Sequence, residues 1–89
     1  MSGFGEHYKS RKKSDKKIKS SKEKIINQAF NFHSQGNIIE AAKLYQHIIH
    51  QGFTDHRVFS NFGIILKSLG KLKEAEVSQR KAIELNPNF

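Results

Sequence analysis

Two closely spaced histidines are the residues best placed in this sequence to bind a metal. His47 and His50 are three positions apart, so in a helix they would share one face. A zinc site needs three or four ligands, and neither a cysteine nor a suitably spaced carboxylate joins this pair. We therefore expect both histidines to lie on a solvated face, with no metal or other cofactor bound.

The sequence also lacks the patterns that accompany catalysis. Serine, histidine and aspartate are all present, but no serine has the surroundings of a catalytic nucleophile. The six glycines form no phosphate-binding loop. A chain of 89 residues has room for one small domain at most, with little space for an enclosed cleft. We predict that the chain is not an enzyme.

Positive charge is concentrated towards the N-terminus. The formal net charge is +8, and residues 1–24 hold nine Lys and Arg against three acidic residues. Residues 1–20 contain few apolar side chains beyond Phe4, Tyr8 and Ile18, too few to offset the entropy lost on folding. We predict that residues 1–20 form a disordered basic tail.

Such a tail allows two roles. Its lysines can bind nucleic acid or another polyanion through phosphate contacts. They can also serve only to keep the chain solvated, which we prefer because Phe4 and Tyr8 do not form the interleaved pattern of single-strand binders. No apolar run is long enough to span a membrane, and no signal peptide is recognisable. Together with the absence of cysteine, this favours a cytoplasmic protein without a membrane partner.

The domain that follows, residues 21–89, repeats itself. Residues 22–55 and 56–89 align with an offset of 34 and are identical at six positions, including Gly36 with Gly70 and Asn27 with Asn61. Within each unit, apolar residues recur at spacings of three and four, which is the period of a helix. We predict four helices near residues 22–35, 38–51, 56–69 and 72–85.

Several details of packing follow from these stripes. Ile25, Ala29 and Phe32 form the predicted buried stripe of the first helix. Asn37 and Glu40 form a plausible N-terminal cap for the second. Gly63 interrupts the third helix at a cost of roughly 1 kcal/mol relative to alanine. Close packing of Gly63 against Ala75 is the expected compensation.

The second unit resembles a tetratricopeptide repeat, a family of helix-turn-helix repeats about 34 residues long. The residues that carry this resemblance are Phe59, Phe62, Gly63, Leu66, Ala75, Ala82 and Pro87. The first unit is similar through Ala29, Phe32, Gly36, Ala41 and Tyr45. Three positions depart from the family pattern, because Gln79 replaces an aromatic residue, Ile48 a small residue and Phe53 the proline. The resemblance implies an all-α fold of antiparallel helix-turn-helix repeats, a four-helix fragment of an α-solenoid.

The resemblance also implies a binding surface, since the first helix of each repeat lines the inner groove of such arrays. Carried over position by position, the peptide-binding residues are Asn27, Phe30, His33, Arg57, Asn61, Ile64 and Lys67. The matched Asn27 and Asn61 are similar to the asparagine ladder in the repeats of O-linked N-acetylglucosamine transferases. The alternative is that both asparagines face water and bind nothing. The carboxylate clamp of chaperone-binding members is not matched, because Ile26 and Phe30 occupy its polar positions.

Three functions remain open from the sequence. The first is a non-enzymatic scaffold that binds a peptide or partner protein. The second is that the chain is the N-terminal part of a longer repeat array. The sequence of the second unit resembles bacterial, often cyanobacterial, repeats, and some of these precede glycosyltransferase, sulfotransferase or methyltransferase domains. The third is polyanion binding through the tail. Because no polar capping helix follows the apolar residues Leu72, Ala75, Ile83 and Leu85, we also predict that the chain is either marginally folded or self-associates through this end of the repeat.

Overall fold

The computed structural model describes residues 21–88, in which four helices follow one another. The predicted disordered tail, residues 1–20, lies outside the described residues, as does Phe89. Helix α1 covers residues 21–34, α2 Ile38–His50, α3 His56–Ser68 and α4 Leu72–Leu85. No strand occurs between residues 21 and 88, so the all-α prediction is confirmed. Helices α2, α3 and α4 begin at the predicted residues.

Tight glycine turns connect the two helices of each unit. Gly36 and Gly70 have positive φ angles of 81° and 78°, which glycine adopts without strain. The residue after each glycine donates its N–H across the turn, Asn37 to Phe32 O at 2.8 Å and Lys71 to Leu66 O at 2.9 Å. These bonds satisfy carbonyl groups at the end of the preceding helix and reverse the chain.

The predicted cap at the start of α2 is wrong in one respect. Asn37 occupies the N-cap position, but its side chain makes no capping hydrogen bond. Its backbone, at φ −80° and ψ 69°, lies outside the extended conformation that normally brings a capping side chain to the first-turn N–H groups. Asp55 before α3 has that extended backbone, at φ −134° and ψ 119°, and accepts a hydrogen bond from Arg57 N.

Side chains from α1, α2 and α3 share one hydrophobic core. Its fully or almost fully buried members are Ile26, Ala29, Ala41, Tyr45, Ile48, Val58 and Ile65. Of the stripe predicted for α1, Ala29 is fully buried, and Ile25 and Phe32 are half-buried against the core. Ile26, which the predicted stripe left out, is also fully buried, so the buried surface of α1 is wider than that stripe.

Helices α3 and α4 pack antiparallel, with polar side chains spanning their interface. The buried Ser78 hydroxyl on α4 donates to Phe59 O on α3 at 2.6 Å. Further along, Asn86 Nδ2 lies 3.3 Å from His56 Nε2. These contacts join the end of α4 to the beginning of α3 and fix the register of the second unit.

Gly63 packs closely against α4, and the side chain nearest to it there is Gln79. Gly63 and Ala75 are both buried, and the space that a Cβ atom on residue 63 would need is occupied by the side chain of Gln79. A Cβ atom on residue 63 would lie 2.5 Å from Gln79 Nε2 and 2.9 Å from its Cδ. Gln79 lies there because its Nε2 donates to Ser60 O at 3.0 Å. Gln79, which departs from the family pattern, is thus the residue that would have to move if residue 63 carried a Cβ atom.

Candidate functional site

The first helix of each unit carries the residues predicted to bind a peptide. They are Asn27, Phe30 and His33 on α1, and Arg57, Asn61, Ile64 and Lys67 on α3; we call these seven the inner face. Spacings of three and four residues place each set along one side of its helix. Phe30, His33 and Asn61 are half-buried, whereas the other four residues are exposed.

Two residues of the inner face, His33 and Asn61, lie beside a side chain from α2. Tyr45 of α2 is fully buried, and its hydroxyl lies 3.1 Å from His33 Nδ1. The side chain of Asn61 lies near enough to this hydroxyl to lower the pKa of Tyr45. Tyr45 therefore connects His33 in the first unit with Asn61 in the second.

The Tyr45 hydroxyl lies in a buried setting with polar neighbours from both units. Burial raises the pKa of Tyr45, and its interaction with the Asn61 side chain opposes this by lowering it. Which atom donates between the Tyr45 hydroxyl and His33 Nδ1 depends on the tautomer of the histidine ring.

Aromatic rings hold Tyr45 in place. Its ring centroid lies 6.2 Å from that of Phe30, 5.9 Å from His33 and 6.4 Å from Phe62, at interplanar angles of 55°, 72° and 55°. Tilted and edge-to-face contacts of this kind are the favoured arrangements of aromatic pairs. From the sequence, Tyr45 was identified only as one of the residues that carry the family resemblance. A buried tyrosine hydroxyl needs a hydrogen-bond partner, and this requirement could have indicated that Tyr45 has a polar neighbour.

Arg57 lies over the inner face in a fixed position. Its guanidinium carbon is 5.3 Å from the centroid of the Phe30 ring, within the range of a cation–π contact. Two hydrogen bonds tie it to Asp55, Nη2 to Oδ2 at 2.7 Å and Nε to Oδ1 at 3.0 Å. The hydrogen bond to Arg57 is the main cause that lowers the pKa of Asp55. Asp55 thus caps α3 and positions the arginine.

The other three residues of the inner face are less constrained. Asn27 is exposed, whereas Asn61, its match in the repeat, is half-buried and close enough to Tyr45 to lower its pKa. The two positions differ because Tyr45 belongs to the unit that precedes Asn61. Ile64, with 52% of its surface exposed, and Lys67 remain open to solvent. The structure therefore brings Phe30, His33, Arg57 and Asn61 together, with Asn27, Ile64 and Lys67 as exposed neighbours.

A second concave surface, which the sequence did not predict, lies on the opposite side of α3. This outer groove encloses about 680 Å³ between α2 and α4. Its lining residues are Gln46, Ile49, Phe59, Phe62, Leu66, Lys73, Glu74, Val77, Ser78, Arg80, Lys81 and Glu84. Phe59 in the groove is two residues from Arg57 of the inner face, and Leu66 is two residues from Ile64. Two residues correspond to about 200° of rotation about a helix, so the groove and the inner face lie on different sides of α3.

The histidines considered for metal binding lie on the surface of α2. His47 and His50 are both exposed. Between residues 21 and 88, no three His, Cys, Asp or Glu side chains come close enough to hold a metal ion. None of the described helices has both the length and the apolar character needed to cross a membrane.

Comparison with known families supports the resemblance of the second unit. The family model described as the tetratricopeptide repeat matches residues 56–89, which include all of α3 and α4. The four helices are consistent with two such repeats. A search of curated proteins gave no match.

Proposed function

We propose that this chain, which carries a tetratricopeptide repeat over residues 56–89, is a non-enzymatic interaction module that binds an extended peptide on its inner face. The repeat supports a protein-interaction module in general. The observation that supports this particular surface is the Tyr45 hydroxyl, which links His33 of the first unit to Asn61 of the second. A surface assembled from both units requires the whole fold.

The groups available on the inner face suit the backbone of an extended peptide. The side-chain amide of Asn61 carries one acceptor oxygen and two N–H donors, and those not directed at Tyr45 are available to a peptide. The His33 ring nitrogen that does not face Tyr45 adds one further hydrogen-bonding group. A peptide in an extended conformation has unpaired N–H and C=O groups that these side chains would satisfy. Ile64 offers an apolar contact beside them.

The charges on the inner face are moderate. Arg57 is paired with Asp55 at 2.7 Å and lies 4.0 Å from Glu23. Lys67 has no ion pair with another described residue. The surface therefore favours a peptide recognised mainly by its backbone and one apolar side chain, with a smaller contribution from an acidic residue near Lys67.

Selection of peptides from a random displayed library, with the full chain as bait, would test this function. For a selected peptide, Asn61→Ala is expected to weaken binding about two- to twelve-fold, since a hydrogen bond is typically worth about 0.5–1.5 kcal/mol. Asn37→Ala is the matched control, because Asn37 is exposed, makes no capping bond and lies away from the inner face. Unchanged affinity for both Asn27→Ala and Asn61→Ala would place the binding surface elsewhere.

A further inference from the structure

The outer groove is an apolar trough that runs along α3. Phe59, Phe62 and Leu66 of α3 line it together with Ile49 of α2, and Val77 of α4 stands on its wall with 69% of its surface exposed. A smaller cavity of about 200 Å³ shares Gln46, Phe62, Leu66 and Glu74 with it and extends it past Ile38, Ile39 and Leu69. The two cavities together form one groove between α2 and α4.

The mostly apolar lining of the outer groove favours one backbone conformation of a bound peptide. The Ser78 hydroxyl in the groove already donates to Phe59 O at 2.6 Å. The remaining lining is mostly apolar or consists of long side chains at the rim. An extended peptide would leave its backbone N–H and C=O groups unpaired against such a lining, at a cost in free energy. A helix pairs these groups internally and can place an apolar stripe against the groove.

The charged residues at the rim of the groove determine which residues are favoured beside the apolar stripe of a bound helix. Five Lys or Arg and two Glu line the two cavities: Lys43, Lys71, Lys73, Arg80, Lys81, Glu74 and Glu84. Exposed ion pairs partly neutralise three of the cations, through Glu40, Glu76 and Glu84. Lys71 and Lys73 form no ion pair with any other described residue. The excess positive charge therefore lies where α4 begins, with Glu74 as the nearest acidic residue in the sequence.

We propose that the outer groove binds an amphipathic helix of a partner protein, one that carries Asp or Glu beside its apolar stripe at the end nearest Lys71 and Lys73. This surface is separate from the inner face, so a partner can be bound there whether or not a peptide occupies the inner face. Each surface then recognises a different conformation, a helix in the outer groove and an extended segment on the inner face.

Binding of two synthetic helical peptides to the full chain tests the proposal. Both are about fourteen residues long and carry leucines at positions i, i+3, i+4 and i+7; one has glutamates and the other lysines beside the leucine stripe. Fluorescence anisotropy at low protein concentration should show at least tenfold tighter binding of the acidic peptide. The double variant Lys71→Glu, Lys73→Glu should remove most of this preference.

Two matched variants distinguish groove binding from general attraction to a basic chain. Val77→Glu places a charge on the groove wall, whereas Ile83→Glu adds the same charge to α4 outside the groove, at a residue 57% exposed. Both should keep the helical circular dichroism of the parent chain. Val77→Glu should weaken binding of the acidic peptide at least fivefold, and Ile83→Glu less than twofold. Equal losses, equal binding of the two peptides, or self-association abolished only by Val77→Glu would overturn the proposal.

Discussion

Replacing Gly63 by alanine should change stability in opposite directions depending on the residue at position 79. In an open helix position, this substitution stabilises by about 0.8–1.0 kcal/mol through helix propensity. Here the new Cβ would lie 2.5 Å from Gln79 Nε2, so the glutamine must move. Its displacement breaks the 3.0 Å hydrogen bond to Ser60 O and repacks a closely filled contact, which costs about 1–3 kcal/mol. We expect Gly63→Ala alone to destabilise the chain by about 1 kcal/mol.

The same substitution in a Gln79→Ala background meets no such obstacle. It should then stabilise the chain by close to the full propensity difference, about 1 kcal/mol. The coupling between the two positions is therefore about 2 kcal/mol, measurable by urea unfolding of the four chains in a double-mutant cycle. Lys73→Ala, at an exposed position, serves as a control and should change stability by less than about 0.5 kcal/mol. A coupling below about 0.5 kcal/mol would refute the role assigned to Gln79.

Two further predictions concern the start of α3 and the exposed edge of α4. Because Arg57 lowers the pKa of Asp55 in the folded chain, the stabilisation by this carboxylate is complete above about pH 4 and is lost as the pH falls further. Asp55→Asn should reduce this acid-dependent loss in thermal melts from pH 2 to 7, and an unchanged profile would contradict the assignment. A polar helix appended after Phe89 should cover Leu72 and Ile83, raise the melting temperature and reduce any self-association seen by sedimentation velocity. If the chain is already a stable monomer, and the added helix changes neither its melting temperature nor its association state, then two units are enough for a stable fold.

The sequence predicted the helices well because their signals are local. The spacing of apolar residues and the glycines at positions 36 and 70 depend only on neighbours along the chain, and α2, α3 and α4 begin where these signals place them. The choice of partners across the fold was less predictable. Gly63 was correctly taken as a site of close packing, but the position of the Gln79 side chain beside it was not predicted. That contact depends on a hydrogen bond to Ser60 O, which no periodic pattern reveals.

Prediction of the inner face had a similar limit. The repeat alignment selected His33 and Asn61 by their positions on the first helices, and both lie beside Tyr45. The alignment left out Tyr45 because it belongs to a second helix and to a buried stripe. The alignment thus considered only side chains on the first helix of each unit, whereas two polar groups of the inner face, His33 and Asn61, lie beside a buried residue of α2. The outer groove was missed because it lies between the second helices of the two units, which no single stripe describes.

Positions that match in the repeat have different environments in the two units. Phe30, Ile38 and Ile49 of the first unit pack against the hydrophobic core to which α3 contributes. The residues 34 positions later, Ile64, Leu72 and Ile83, are 52%, 64% and 57% exposed. Repetition of the sequence therefore repeats the helices but not their burial, because these positions of the first unit pack against a core that the second unit helps to form. In such a fold, much of the stability arises at the contacts between neighbouring units.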